Sequence, residues 1–185
     1  MVLDTDKITE AEVSLRLAFF LIERGYAATD VSVALDGAQI QTATTVHFPI
    51  SAFLAAYGWT KAQAEQRWQG AYSHATLPFS IEVHSRSGYG DVVATLTSGA
   101  ILRAESKKGS ISRSKSSSEY PRIREALGQL LTVEQVEERG MLAVAVPHSI
   151  TTARLAARWR QAPLIQRCGI RILTVDRNNN VEGLP

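Results

Sequence analysis

The spacing of apolar and polar positions predicts a succession of helices and strands. In "TEAEVSLRLAFFLIERGY", Leu15, Leu17, Phe19, Phe20, Leu21 and Ile22 make the interior apolar nearly all round, the pattern of a buried helix. Thr9 suits its N-cap, Glu10 and Glu12 the positive end of its dipole, and Gly25 the position just past its end. "DVSVALDG" (30–37) reads as a strand with a turn at Asp36-Gly37. Residues 38–76 carry a polar Gln/Thr stretch and then two short helical patterns, "PISAFLAAYGW" and "TKAQAEQRWQGAY". These are broken at Gly58, with Thr60 as a cap, and read as a small helical insertion or accessory lobe.

Three strand patterns follow: "FSIEVHSR" (79–86), "DVVATL" (91–96) and "AILRAES" (100–106), with turns at 88–90 and 98–99. A Ser-rich basic loop, 107–118, leads to the helix "PRIREALGQLL", with Pro121 at its first position. The capping-box spacing of Thr132 and Gln135 predicts that "TVEQVEERG" restarts it. "MLAVAVPHS" is apolar throughout, as in a strand covered on both faces. A helix, "TTARLAARWRQ", with Arg154 and Arg158 on one face, and a last strand, "IRILTVD", complete the order. That order predicts one α/β (α+β) domain of three layers, with a mixed central sheet flanked by helices and the 38–76 segment inserted.

Composition narrows the class. The chain has 185 residues, 45% of them hydrophobic and 21% charged, enough for a sizeable single core. No apolar run approaches the ~20 residues of a membrane span, and the first ten residues lack the basic-then-apolar pattern of a secretory signal. A single cysteine, Cys168, excludes an intramolecular disulfide framework and a Cys-rich zinc site. It fits a reducing, cytoplasmic setting and reads as a small buried hydrophobe. His47, His74, His84 and His148 show no ligand spacing, although His84 lies near the 91–106 hairpin. "SGYG" is a turn rather than a phosphate cradle, so no nucleotide cofactor is expected.

The net charge of +2 says little, but its distribution says more. The loop 107–118 holds Lys107, Lys108, Arg113 and Lys115 and no acid, as either a solvated connection or a track for a phosphate backbone. Tyr57, Trp59, Trp68 and Tyr72 are either a small core or a recognition or dimer surface.

The stretch "ILRAESKKG" (101–109) puts Glu105 and Lys107 at the end of an apolar strand, where buried charge is expensive unless paired or coordinated. Either these are solvated charges at a strand's edge or they form a site. On a strand, residues i and i+2 share a face, so Glu105 and Lys107 project together. A three-residue loop, Thr97-Ser98-Gly99, pairs Leu96 with Ala100 and brings Asp91 opposite Glu105; a two-residue loop opposes Asp91 to Ser106 instead. In the first register two carboxylates repel unless a hard cation such as Mg²⁺ lies between them. A neighbouring lysine then orients the attacking water and stabilises charge on a phosphoryl group, which is metal-assisted phosphodiester hydrolysis.

Asp91, a turn, and then Glu105-Ser106-Lys107, the one [D/E]-x-K of the chain, resembles the PD-(D/E)xK nuclease superfamily over roughly residues 9–37 and 79–176. The glutamate that members often carry in the first helix is matched by Glu12 or Glu10. The glutamine of the helix after the E-x-K strand is matched by Gln129, and an apolar strand and a helix follow as in the family. Two positions depart: Gly90 precedes Asp91 in place of proline, and Arg103 stands where an apolar residue is usual, to contact a phosphate or hold a carboxylate without metal.

The resemblance implies a restriction-endonuclease-like fold and a Mg²⁺-dependent endonuclease acting on double-stranded DNA, with Mn²⁺ as a substitute. Asp91 and Glu105 would bind the metal and Lys107 would position the water. Glu12 or Glu10 would add a carboxylate, and Gln129 a polar contact. Lys108, Arg113, Lys115 and Arg103 would meet the nucleic acid. Cutting both strands would call for a two-fold homodimer. The alternatives are an inactive nucleic-acid-binding module of the same fold, a nuclease for branched junctions or RNA, and a small interaction protein with no site.

Overall fold

The structure, a computed structural model, describes residues 6–61, 67–86, 88, 90–112 and 116–184. In chain order its first elements are β1 (Lys7–Ile8), α1 (Glu10–Glu23), β2 (Val31–Ala34), α2 (Gly37–Ile40), β3 (Gln41–Thr42), β4 (Thr45–Val46) and α3 (Ile50–Ala56). Then come β5 (Trp59–Lys61), β6 (Gly70–His74), β7 (Ile81–His84), β8 (Val92–Thr95), β9 (Ile101–Ser106) and β10 (Gly109–Ser110). The last are α4 (Ser116–Leu130), β11 (Gly140–Pro147), α5 (Ile150–Arg160), α6 (Pro163–Cys168), β12 (Arg171–Val175) and β13 (Val181–Glu182).

Among the described residues nine strands form one mixed sheet in the order β13-β12-β11-β9-β8-β2-β7-β6-β5. β9, β11 and β12 run parallel, and β8 is antiparallel to both its neighbours, β9 and β2. The two faces are covered by different helices. On β11, Ala143 and Ala145 join the core cluster of α1, whereas the alternate residues Val144 and Val146 join that of α4 and α5. With side chains alternating along a strand, α1 lies on one face and α4 and α5 on the other. The predicted three layers are present, and β11 is the strand covered on both sides. No helix among the described residues is long and apolar enough to cross a membrane.

α1 forms where its apolar run and caps predict. Thr9's hydroxyl accepts the Glu12 N–H at 3.1 Å, and Gly25 takes the left-handed φ of +71° that ends the helix. Four expectations are corrected. Residues 60–72 are not helical where described: Trp59–Lys61 and Gly70–His74 are strands, with Thr60 in β5. Pairing at the sheet's edge buries Trp59 and Tyr72, and that burial overrides helix propensity. The segment is also no separate lobe, because Phe19 of α1 stacks between Phe53 and Trp59 at 5.9 and 5.6 Å. α4 begins at Ser116, so Pro121 lies inside it rather than at its first position. Residues 131–139 turn and loop instead of restarting a helix. There Thr132's N–H and hydroxyl both return to the Gln129 carbonyl and close α4.

Within α1, Arg16 is 1% exposed, and almost complete burial of a guanidinium requires that its donors be matched. It donates to Glu12 at 2.9 Å, to the Arg177 carbonyl at 2.6 Å, to Asn179 Oδ1 at 2.9 Å and to the Tyr57 hydroxyl at 2.9 Å. It thus ties α1 to the chain after β12 and to α3's end. Arg16→Ala removes this hub and leaves Glu12 buried with Arg177 as its remaining ion-pair partner, at 3.4 Å. A loss of about 3–5 kcal/mol is expected, read from urea unfolding.

Candidate functional site

The β8–β9 hairpin has the three-residue loop of the first register. Leu96 donates to Ala100 at 2.8 Å, Gly99 has φ +79°, and pairs run from Thr95↔Ile101 to Val92↔Ala104. One residue further the ladder changes. The Asp91 N–H donates to Ala104's carbonyl at 2.8 Å, so Asp91 and Val92 both stand against Ala104. This bulge re-aims Asp91, whose Oδ2 accepts the Ser106 N–H at 2.7 Å instead of simply facing Glu105. Gly90 makes the bend possible. Its φ is +94°, a Cβ there would crowd Ala104's backbone at 3.3 Å, and its N–H donates to the Glu105 carboxylate. Proline, with φ near −65° and no N–H, could do neither.

Burial, and then the charge of Glu105, raise Asp91's pKa to about 7, against the pull of the Ser106 N–H. Glu105 is raised too, chiefly by burial, and Lys107 and the Gly90 N–H oppose the rise. Lys107 is itself buried, with its ammonium 3.4 Å from Glu125 and 3.6 Å from Glu10. Ser14 of α1 reaches Ser106 hydroxyl to hydroxyl at 2.9 Å, fixing the helix's start against the end of β9.

Two adjoining clefts open on this group. One, of about 320 Å³, is lined by Asp91, Glu105, Gly90, Asp36, Arg86 and Gln129 among others. The second, of about 430 Å³, shares Asp36 and Gln129 and adds Glu10, Gln39, Lys107, Lys108, Arg122 and Glu125.

The structure therefore brings together Asp91, Glu105, Lys107 and Gln129, with Lys108 exposed on the rim. Between the two helix glutamates it selects Glu10, whose charge acts on both Asp91 and Glu105. Glu12 points away, as the buried partner of Arg16 and Arg177. Arg103 is also displaced from its expected role. Its guanidinium binds Glu137, whose carboxyl it holds down at about 2. Arg113 and Lys115 lie outside the described residues. Cys168 is exposed rather than buried, and His84 is bonded to Ser32 at 2.8 Å.

Sequence reasoning missed Asp36, Gln39 and Glu125. Asp36 reaches the site because it lies just past β2, which pairs with β8 at the end where Asp91 stands, and that pairing is decided by the sheet and not by local sequence. No three His, Cys, Asp or Glu side chains among the described residues form a metal cage. Asp91 and Glu105 are a pair of the kind that holds Mg²⁺, which takes one or two carboxylates and keeps several waters. Compared with protein-family models, curated proteins and solved structures, the chain finds no match.

Folded Asp91 keeps its proton to about pH 7, whereas in the unfolded chain it releases it near 3.8. Between those values the folded state binds more protons, so stability falls as pH rises through the window and levels off above it. Asp91→Asn keeps an oxygen for the Ser106 N–H and removes the buried charge. It is expected to raise Tm by about 4 °C or more above pH 7 and to change it little near pH 4, as scanning calorimetry at the two pH values would show.

Proposed function

We propose that the chain is a Mg²⁺-dependent nuclease of restriction-endonuclease-like fold that hydrolyses phosphodiester bonds in double-stranded DNA. One observation carries the reading. Two carboxylates, Asp91 and Glu105, are held together in partial burial by the N–H groups of Ser106 and Gly90, beside a buried Lys107. Folding works against this arrangement, since both acids are driven toward their protonated forms. Such a local conflict belongs to a functional site.

The donor set fits a hard divalent cation, because two oxygen ligands suffice when water completes the shell. The bound ion would lower the pKa of a water and neutralise phosphoryl charge. Lys107 would hold the attacking water and meet the developing charge with its ammonium, kept in place by Glu10 and Glu125. Gln129, on the wall shared by both clefts, would contact the substrate. Arg86 and Lys108 at the two mouths would meet phosphates. Two copies related by a two-fold axis would cut both strands. A metal-free site neutralised by Arg103 loses its support, because Arg103 is bound to Glu137.

The test is relaxation of supercoiled plasmid by the purified protein with Mg²⁺, with Mn²⁺ and with chelator. Both metals should support nicking and chelator should abolish it, and Glu105→Ala or Lys107→Ala should slow it by about 100-fold or more. Absence of nicking in every metal, or variants as fast as the parent, would refute the assignment.

A further inference from the structure

The segment between β2 and the outer strands turns its aromatic residues inward. Trp59 and Tyr72 are buried, and Tyr57 and Trp68 pack against the same core. What it leaves outside is the β3–β4 ribbon, in which all six residues from Gln41 to Val46 are exposed. The ribbon is anchored at its base, where the His47 and Phe48 N–H groups both donate to the carbonyl of buried Ile40, at 2.8 and 3.2 Å. Its two-residue turn, Ala43-Thr44, closes the pair Thr42↔Thr45 with Ala43 at φ +49°, a conformation that persists only when neighbours hold it. Gln41's side-chain amide donates to the Ala43 carbonyl at 2.9 Å, and Thr42's hydroxyl is bonded to the His47 ring. This is a built ribbon rather than a slack loop.

Its position ties it to the cleft. Asp36, which caps α2, and Gln39 within it line the same wall as Lys107 and Gln129. Four helical residues advance about 6 Å, so the ribbon rises from the rim of the site. Its chemistry is distinctive too. From Gln41 to Val46 there is no charge, and among the described residues no side-chain hydrogen bond engages Thr44 or Thr45. Uncharged hydroxyls and methyls suit base edges, where phosphates would call for cations. A two-stranded ribbon enters the major groove of B-form DNA, whereas the deep, narrow groove of A-form RNA excludes it.

We infer that the β3–β4 ribbon reads base edges in the major groove of duplex DNA beside the cleavage site, through the Thr44 and Thr45 side chains at its tip. The inference rests on the nuclease reading for its substrate, but binding tests it apart from cleavage. Duplexes retained from a random-sequence pool are sequenced for the parent protein and for Thr44→Val/Thr45→Val, which deletes both hydroxyls and keeps the β-branched shape. Equal melting temperatures verify that both proteins are folded.

The parent should enrich particular bases, and the variant should lose that discrimination by about fivefold or more while still binding bulk DNA. Identical enrichment in both proteins, no enrichment by the parent, or no duplex binding at all would overturn the ribbon's role. Plasmid relaxation run alongside separates the two readings. Cutting without base preference defeats the ribbon and leaves the nuclease standing. Base-selective binding that the variant loses, without cutting in any metal, upholds the ribbon and defeats the nuclease.

Discussion

The Ser106 N–H donated to the Asp91 carboxylate is the bond around which the candidate site is arranged. It can form because a bulge at Asp91 breaks the β8–β9 ladder, and the bulge can form because Gly90 tolerates a positive φ. The same N–H fixes Asp91 near Glu105 in spite of their mutual repulsion. Ser106 is in turn clasped by Ser14, so one residue of β9 joins the acid, the strand end and the first helix. Remove that residue's orientation and the carboxylates have no reason to stay together.

Holding like charges in partial burial works against folding, and the rest of the molecule compensates. α1 is buried along nearly its whole length against five strands, and α4 and α5 seal the opposite face. Arg16, buried and bonded to the Arg177 carbonyl, Asn179 and Tyr57, pins α1 to distant parts of the chain. A helix so constrained presents Glu10 to the site at a fixed place, which a frayed N-terminus could not do. Rigidity of the scaffold and pre-organisation of the acids are thus one property.

The outer part of the sheet shows how an apparent insertion can serve both core and surface. β5 and β6 extend the sheet and give their large aromatics to the core of α1, so the segment does not form a lobe of its own. With the aromatics consumed by packing, the surface next to the cleft is left to a short ribbon of glutamine and threonines. Apolar burial and polar display are divided between neighbouring stretches of one segment.

Local features carried the legible part of this protein. Caps and apolar periodicity placed α1, turn chemistry at Gly99 narrowed the β8–β9 register to two loop lengths, and the period of two in a strand put Glu105 and Lys107 on one face; all are decided within a few residues. The tertiary structure decided what depends on remote partners. Glu10 and Glu12 stand about 200° apart around their helix, so the one that faces the site depends on how α1 packs. Arg103 finds Glu137 34 residues away, and Lys107 finds Glu125 on another element. Trp59–Lys61 and Gly70–His74 are strands because a sheet edge is there to receive them. Local spacing encodes the ends of elements and the order of chemistry along them, whereas burial and charge pairing are properties of surfaces that exist only once the chain has closed on itself.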